Sequence, residues 1–297
     1  MSAYRLTIVI AVQHAQQNLP EIMRQLKPAS YADVEYLFCS TEEDPDTGSL
    51  VDGFENVVVL SAARGRLIPV LWADGIRQAQ AEKIALSTAH CIPAADWVDT
   101  LLAADMSSLP AIGGVISNDE AASAKDWAIF FLRYISFAPP QQKRQLDDIA
   151  ADNAIYRRAD ILQHADLLAI GFWEPSFHAR YRKAGMTLEL EPAISVTHHN
   201  CYSGAQFFSQ RLAHGKEFGL ARASVIPAWK RYLLIALSPI LPALFLKKIV
   251  SAVVRHGGYT SKLLPAFPWL IFFLFAWGMG EAKGYLLAGS RQGLKND

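Results

Sequence analysis

The first two thirds of the chain alternate short apolar runs with segments whose apolar residues recur at helical spacing. The β-branched runs at 5–12 and 34–39 predict buried strands, and the apolar spacing within 19–26 predicts a helix between them. Further strands are predicted at 56–60, 82–87, 111–117 and 187–200, and helices at 67–80 and 119–137. Continuous apolar strands separated by helices indicate an α/β fold, with a mostly parallel sheet flanked by helices.

The last third of the chain has a different pattern, because two long segments carry no charge. Residues 232–246 are uncharged over fifteen positions, and residues 263–280 over eighteen. A membrane-spanning helix needs about 20 apolar residues, with a range of about 17–25, so the second segment is long enough and the first is short. Either both cross the bilayer as a hairpin, or the first lies in the interface while the second dips into the membrane or spans it.

Between these two parts, segment 203–228 mixes phenylalanine and leucine with Arg211, Lys216 and Arg222. This composition predicts a basic amphipathic helix on an anionic membrane surface, or alternatively a helix that packs on the sheet. The predicted organisation is therefore an α/β domain at 1–202, an amphipathic interfacial helix at 203–228, and two hydrophobic membrane helices with a tail at 229–297.

Composition and charge narrow the function classes. The formal net charge is zero, which argues against a nucleic-acid binder that works by bulk electrostatics. Three scattered cysteines are too few for a disulfide framework, so a reducing compartment is expected. The N-terminal apolar run is too short for a good signal peptide, so the first domain is expected in the cytoplasm, at the inner membrane.

Four segments carry the candidate chemistry: the strand "TIVIAV", the block at 65–97 that ends "EKIALSTAHCIPAADW", "DNAIYRR" at 152–158, and "GFWEPSFHARYRKAG" at 171–185 with "HHN" after it. Their order resembles the family 2 glycosyltransferases of the GT-A fold, over roughly residues 5–225. The resemblance implies a GT-A-like domain that uses a nucleotide-sugar donor. A C-terminal pair of membrane helices also occurs among the bacterial, membrane-associated members.

The strand that corresponds to "KIALS" ends, in that family, in an Asp-x-Asp motif that holds the ribose and a divalent metal. Here Thr88, Ala89 and His90 occupy those positions, so the motif is degenerate. The resemblance implies that His90 faces the donor cleft, as a metal ligand or as a hydrogen-bond donor to the diphosphate. His198 or His199 would fit a second metal or phosphate role, and Mn or Mg is the implied cofactor. Adjacent strand residues face opposite sides, so only one of these two histidines can reach the cleft.

The resemblance also assigns donor-binding residues. Ser40 stands where the family commonly has an aspartate for the base or ribose, and Asp152 with Asn153 would line the sugar pocket. Arg157 or Arg158 would contact a phosphate. If no cation binds, Arg64 and Arg66, or Arg157, would replace the metal by direct ion pairing.

Glu174 aligns with the catalytic aspartate of the family and is the expected general base. A base is required because the acceptor hydroxyl must lose its proton as it attacks the anomeric carbon. The alternative for Glu174 is a carboxylate at a helix N-terminus, stabilised by the helix dipole.

The expected function is the transfer of a sugar to a lipid-linked or cell-envelope polysaccharide acceptor, as in exopolysaccharide biosynthesis, at the cytoplasmic membrane face. The expected partners are the nucleotide-sugar donor, that acceptor and membrane lipid, with no nucleic acid. The alternative is an inactive GT-A-like binding or scaffold subunit of a polysaccharide assembly complex, which the missing carboxylates at 88–90 favour.

Overall fold

The structure, a computed structural model, describes residues 4–293 and forms two compact units. The first unit comprises Met1–Glu120 with Phe137–Cys201, and the second comprises Ala121–Ser136 with Tyr202–Asp297. The domain boundaries at 202 and 228 remain predictions, and residues 294–297 of the predicted tail lie outside the described residues.

The strands of the first unit, in chain order, are β1 (Leu6–Ala11), β2 (Val34–Thr41), β3 (Val57–Ala62), β4 (Lys83–Thr88), β5 (Cys91–Pro93), β6 (Ala111–Asn118), β7 (Arg144–Leu146), β8 (Asn153–Arg157) and β9 (Leu188–His198). The helices of the whole described chain are α1 (Leu19–Leu26), α2 (Thr47–Val51), α3 (Ile68–Gln78), α4 (Trp97–Ala103), α5 (Ala124–Arg133), α6 (Arg158–Leu162), α7 (Ala165–Leu168), α8 (Glu174–Lys183), α9 (Gly204–Ala223), α10 (Ala228–Leu237), α11 (Leu241–His256) and α12 (Thr260–Gly293).

Within residues 4–293 the nine strands form one sheet, in the order β3-β2-β1-β4-β8-β6-β9-β5, with β7 paired to β9. The predicted α/β sheet flanked by helices is confirmed. The strands β1 to β4 pair in parallel, as their apolar sequences indicate, whereas β8 runs antiparallel to both β4 and β6. The sheet is therefore mixed, because a second set of strands extends the parallel half.

The parallel strands are apolar because helices cover both of their faces. Every residue of β1 and β2 is buried. One layer of the core contains Val9, Leu86, Trp72 of α3 and Phe177 of α8. The Trp72 indole also donates a 2.7 Å hydrogen bond to the backbone oxygen of Ser87, which fixes α3 against β4. This packing sets the positions of the loops that follow the strands.

The direction of the strands defines one edge of the sheet as the candidate site. Since β1, β2 and β4 are parallel, their C-terminal ends meet at the same edge, which we call the carboxyl edge. Strand β8 runs the other way, with Asn153 opposite Ser87 and Arg157 opposite Lys83. The start of β8 therefore lies at the carboxyl edge and its end lies at the opposite edge.

Over its described residues the second unit contains helices and no strand. Two helical segments, Ala228–His256 and Thr260–Ala288, are long and apolar enough to cross a membrane. Helix α9 begins at a capping box, in which Ser203 and Gln206 exchange side-chain to backbone hydrogen bonds.

Helix α9 packs closely along α12. A Cβ atom on Gly215 would lie 2.4 Å from the backbone oxygen of Trp277, and one on Gly280 would lie 2.2 Å from that of Leu212. Glycine is required at both positions because the two helix backbones meet there, as in other contacts between small residues on apolar helices.

Candidate active site

His90 follows β4 at the carboxyl edge and is fully buried. Its Nδ1 accepts a 3.3 Å hydrogen bond from the backbone N–H of Cys201, and its Nε2 lies 3.0 Å from the backbone oxygen of Gln13. Because Nδ1 is the acceptor, a neutral ring carries its proton on Nε2 and donates it to Gln13. The imidazole therefore joins the end of β4 to the loops that follow β1 and β9.

The two histidines predicted as metal ligands lie close together in the first unit. The ring centroids of His90 and His198 are 6.3 Å apart, and Nδ1 of His198 is 3.2 Å from the side-chain oxygen of Asn118. Neighbouring His199 lies 2.9 Å from the Asn18 side-chain oxygen, and its other ring nitrogen lies 3.2 Å from Asp119.

These residues do not fit a divalent cation held by His90. Both ring nitrogens of His90 already bind backbone atoms. Across the part of the chain that the structure describes, no group of three or more His, Cys, Asp or Glu residues is arranged to hold a metal ion. The metal roles of His90 and His198 stay predictions.

Ser40 and Arg66 both lie at the carboxyl edge. Ser40 is buried near the end of β2, where it pairs with Ser61 of β3. Arg66 is exposed in the loop before α3, and its backbone oxygen accepts a 2.8 Å hydrogen bond from the Gln13 side chain. The Arg66 guanidinium is therefore accessible to a ligand at this edge.

Asp44 is a buried carboxylate at this edge that the sequence reasoning missed. It lies in the acidic loop after β2 and accepts a 3.1 Å hydrogen bond from the backbone N–H of His14. His14 has a positive φ of 56°, a backbone conformation that residues other than glycine seldom adopt. Burial raises the pKa of Asp44 above its ordinary value. The sequence signal that could have indicated Asp44 is the acidic run "STEEDPDTGS", to which this buried carboxylate belongs.

Asp152 and Asn153 lie at the carboxyl edge but face different surroundings. The backbone oxygen of Asp152 accepts a 3.0 Å hydrogen bond from the Ser87 hydroxyl, next to the degenerate motif. The Asn153 amide donates to the backbone oxygens of Val115 and Ile194, at 2.8 and 3.1 Å, and accepts from the Trp97 indole. These bonds give Asn153 a structural role, and its donor-binding role stays a prediction.

Arg157 is separated from the other predicted residues. It pairs with Lys83 at the start of β4, so it lies at the opposite edge of the sheet from Thr88. Five residue steps at about 3.3 Å each put these edges roughly 16 Å apart. Its guanidinium forms a 2.5 Å ion pair with Asp160. The antiparallel strand carries Arg157 away from the carboxyl edge, and its contact with the donor phosphate stays a prediction.

Glu174 is the first residue of α8 and is half-buried. The chain enters this helix through Gly171, which has a φ of 125°, and the Phe172 N–H donates a 2.7 Å hydrogen bond to the backbone oxygen of Pro69. Pro69 lies in the first turn of α3, at the carboxyl edge. The helix start is therefore tied to this edge, and Glu174 is placed there.

The charge of Glu174 acts on a buried tyrosine of β8. Burial raises the pKa of Tyr156 well above its ordinary value, and the negative charge of Glu174 raises it further, with smaller effects from Asp148 and Asp152. Tyr156 is therefore neutral at physiological pH. Tyr156 pairs with Ile84, so its backbone lies closer to the end of β8 than to the carboxyl edge.

Tyr156 also belongs to a hydrogen-bonded chain that sequence reasoning missed. Its hydroxyl lies 3.0 Å from Nε2 of the buried His178, and Nδ1 of His178 contacts the half-exposed Asp148 carboxylate. His178 lies four residues after Glu174 on α8, so both side chains share one face of the helix. The available signal was this spacing within "EPSFH".

The comparisons with known proteins support the fold. A mannosyltransferase from Pyrobaculum calidifontis, PcManGT, whose structure is described as a complex with GDP-Man and Mn2+, is similar with a TM-score of 0.51. The alignment covers 99% of this chain and 88% of that chain at 14% sequence identity. This chain is therefore similar to a glycosyltransferase in fold. No protein family model and no curated protein match the sequence.

Proposed function

We propose that this protein transfers a sugar from a nucleotide-sugar donor to a lipid-linked or cell-envelope polysaccharide acceptor at the cytoplasmic face of the membrane. The observation that carries the proposal is the half-buried carboxylate of Glu174 at the carboxyl edge. Parallel α/β sheets bind their ligands at this edge. The similarity in fold to a glycosyltransferase, and two helices apolar enough to cross a membrane, support the same conclusion.

The proposed chemistry requires one proton acceptor and one stabilised leaving group. Glu174 accepts the proton of the acceptor hydroxyl while that oxygen forms its bond to the anomeric carbon, and the bond from this carbon to the donor diphosphate breaks. General-base catalysis of this kind contributes about 10²- to 10⁴-fold to the rate. The accessible guanidinium of Arg66 offsets negative charge on the departing diphosphate.

A buried hydrogen-bonded chain lies one turn further along α8 from Glu174. His178 shares a helix face with Glu174 and lies 3.0 Å from the Tyr156 hydroxyl. Asp148 orients the His178 ring, and that ring fixes the Tyr156 hydroxyl. We assign these groups to holding α8, the helix that begins at Glu174, against the sheet.

The test is donor hydrolysis and sugar transfer by the purified full-length protein in detergent, across a panel of nucleotide sugars. The Glu174→Gln variant keeps the size of the side chain and removes its basicity. The matched control is Glu55→Gln, because Glu55 is an exposed glutamate in the loop before β3. Turnover that Glu174→Gln removes and Glu55→Gln keeps supports the proposal.

A second candidate is a catalytically inactive module that binds a nucleotide sugar. The positions of the Asp-x-Asp motif hold Thr88, Ala89 and His90, and His90 is hydrogen-bonded to backbone on both ring nitrogens. In the same experiment this candidate predicts donor binding without turnover, in the wild type and in both variants.

A further inference from the structure

The second unit contains a cavity of about 300 Å³ that the proposed sugar chemistry does not use. Residues of α5, α9, α11 and α12 line it, so every wall belongs to the second unit. Aromatic and aliphatic side chains form most of the wall, among them Phe245, Phe273 and Trp277. This volume is at the lower end of the range of ligand sites, which is about 300–1,000 Å³.

The polar part of the cavity is cationic. Arg133 of α5, Arg211 of α9 and Lys248 of α11 all line it. Among the described residues that line it, none is an aspartate or a glutamate. Three positive charges from three different helices therefore meet at one apolar cavity, and this arrangement favours an anionic ligand.

Two further observations show that the positive charge is held in place. The Arg211 guanidinium lies 5.0 Å from the centroid of the Phe207 ring and 5.5 Å from that of Trp277, so two aromatic faces fix it. His214, whose Nδ1 is 3.4 Å from Arg211, has a pKa well below its ordinary value because of burial and of the nearby charges of Arg211 and Arg133. Burial is the main cause of the lowered pKa, and the charges of the two arginines lower it further, so this histidine is neutral.

The surroundings of Lys248 indicate that the ligand comes from the membrane. Lys248 lies within Ala228–His256, one of the two segments long and apolar enough to cross a bilayer. Charged residues inside such segments are energetically costly and mark functional sites more often than structural ones. Leu244, one turn before Lys248 on the same helix face, is an exposed apolar side chain.

We propose that this cavity binds the phosphate headgroup of a membrane amphiphile, with Arg133, Arg211 and Lys248 as the phosphate ligands. The first carbons of the lipid chain lie against Phe245, Phe273 and Trp277. Both a bilayer phospholipid and an isoprenoid phosphate combine an anionic phosphate with an apolar chain. The site goes beyond the proposed sugar transfer, because it requires neither a donor nor turnover.

The test measures binding to the full-length protein in a neutral detergent, by isothermal titration with water-soluble probes. The probes are dioctanoyl phosphatidic acid, farnesyl phosphate, dioctanoyl phosphatidylcholine and inorganic phosphate. The variants are Arg133→Gln and Lys248→Gln, and the matched control is Lys247→Gln. Lys247 is the preceding lysine of the same helix, equally exposed but outside the cavity wall.

We expect the two anionic amphiphiles to bind at least tenfold more tightly than phosphatidylcholine and inorganic phosphate. Arg133→Gln and Lys248→Gln should each weaken that binding at least fivefold, whereas Lys247→Gln should change it less than twofold. The tighter of the two anionic probes identifies the source as phospholipid or isoprenoid phosphate. Because Lys248 is exposed, Lys248→Gln should fold. The test therefore remains valid even if Arg133→Gln does not fold.

Three results would overturn the proposal. If phosphatidylcholine bound as tightly as the anionic amphiphiles, the positive charges would not select the ligand. If inorganic phosphate bound as tightly, the lipid chain would contribute nothing to binding. Equal effects of Lys247→Gln and Lys248→Gln would show a general surface attraction in place of a site. No donor is present in this assay, so its failure leaves the proposed sugar transfer untouched, and loss of turnover leaves this site untouched.

Discussion

Two sides of the carboxyl edge use their polar groups in opposite ways. On the side after β4, His90 is fully buried, and both of its ring nitrogens bind backbone atoms. On the side where α8 begins, Glu174 is half-buried, and its charge acts on the phenol of Tyr156. The first group is buried within the fold, whereas the second keeps part of its surface exposed at the carboxyl edge.

This difference separates a structural residue from a catalytic candidate at similar positions in the fold. A polar group whose hydrogen bonds end on the backbone holds loops together, and its loss should lower stability. A partly exposed carboxylate contributes less to stability than a buried group and can accept a proton from a substrate. Four predictions test this contrast.

The largest effect is expected for Glu174→Gln. Loss of the general base should lower kcat by about 10²- to 10⁴-fold, and the donor dissociation constant should stay within about twofold. The thermal unfolding midpoint should stay close to that of the wild type, because the amide fits the same half-buried position. Steady-state kinetics and a melting curve on the same preparation check both parts. A variant that melts early and keeps its kcat would assign Glu174 to the fold.

His90→Ala should give the reverse pattern. The substitution leaves the backbone oxygen of Gln13 without this donor and opens a cavity, at a cost of about 2–4 kcal/mol of unfolding free energy. His90→Gln should recover part of this loss, because its amide can still donate to Gln13. Denaturant unfolding of the three proteins measures the difference. A weaker donor affinity at unchanged stability would instead make His90 a binding residue.

The contrast between the two sides also marks what the sequence could predict. Strand β1 was expected at 5–12 and spans Leu6–Ala11, and helix α3 was expected at 67–80 and spans Ile68–Gln78. Such elements follow from local apolar spacing. The resemblance identified Glu174 as the candidate base from the order of the segments along the chain, and this role stays a prediction.

The hydrogen bonds of His90 could not be predicted, because they depend on distant parts of the chain. Gln13 lies 77 residues away in sequence and Cys201 lies 111 away. The position of Arg157 could not be predicted for a similar reason: "DNAIYRR" is typical of a strand, but only its antiparallel pairing with β4 shows which end lies at the carboxyl edge. Segment 121–136 likewise groups with the C-terminal helices, although its own sequence gives no sign of this.

Asp44 gives a pH-dependent test on the side of the edge formed by β1 and β2. Its folded pKa is raised above the ordinary value of 3.8, chiefly by burial, so the folded state binds the proton more tightly than the unfolded state does. The contribution of Asp44 to stability should therefore fall as pH rises from about 4 through the folded pKa. Asp44→Asn should remove this part of the slope when unfolding is measured across pH 4–7. An unchanged slope would show that Asp44 is as well solvated as in the unfolded chain.

The smallest effect is expected from added metal. Because His90 is committed to backbone, Mn2+ should change the donor dissociation constant less than twofold relative to a chelator-treated sample. A tighter donor complex with Mn2+ would contradict this, and Asp152→Asn then decides where the ion binds. Magnesium and manganese sites on phosphates need only one or two carboxylates, and Asp152 lies beside Ser87 where the missing motif would begin. If Asp152→Asn abolishes the metal effect and His90→Gln keeps it, Asp152 at the start of β8 binds the metal and His90 does not.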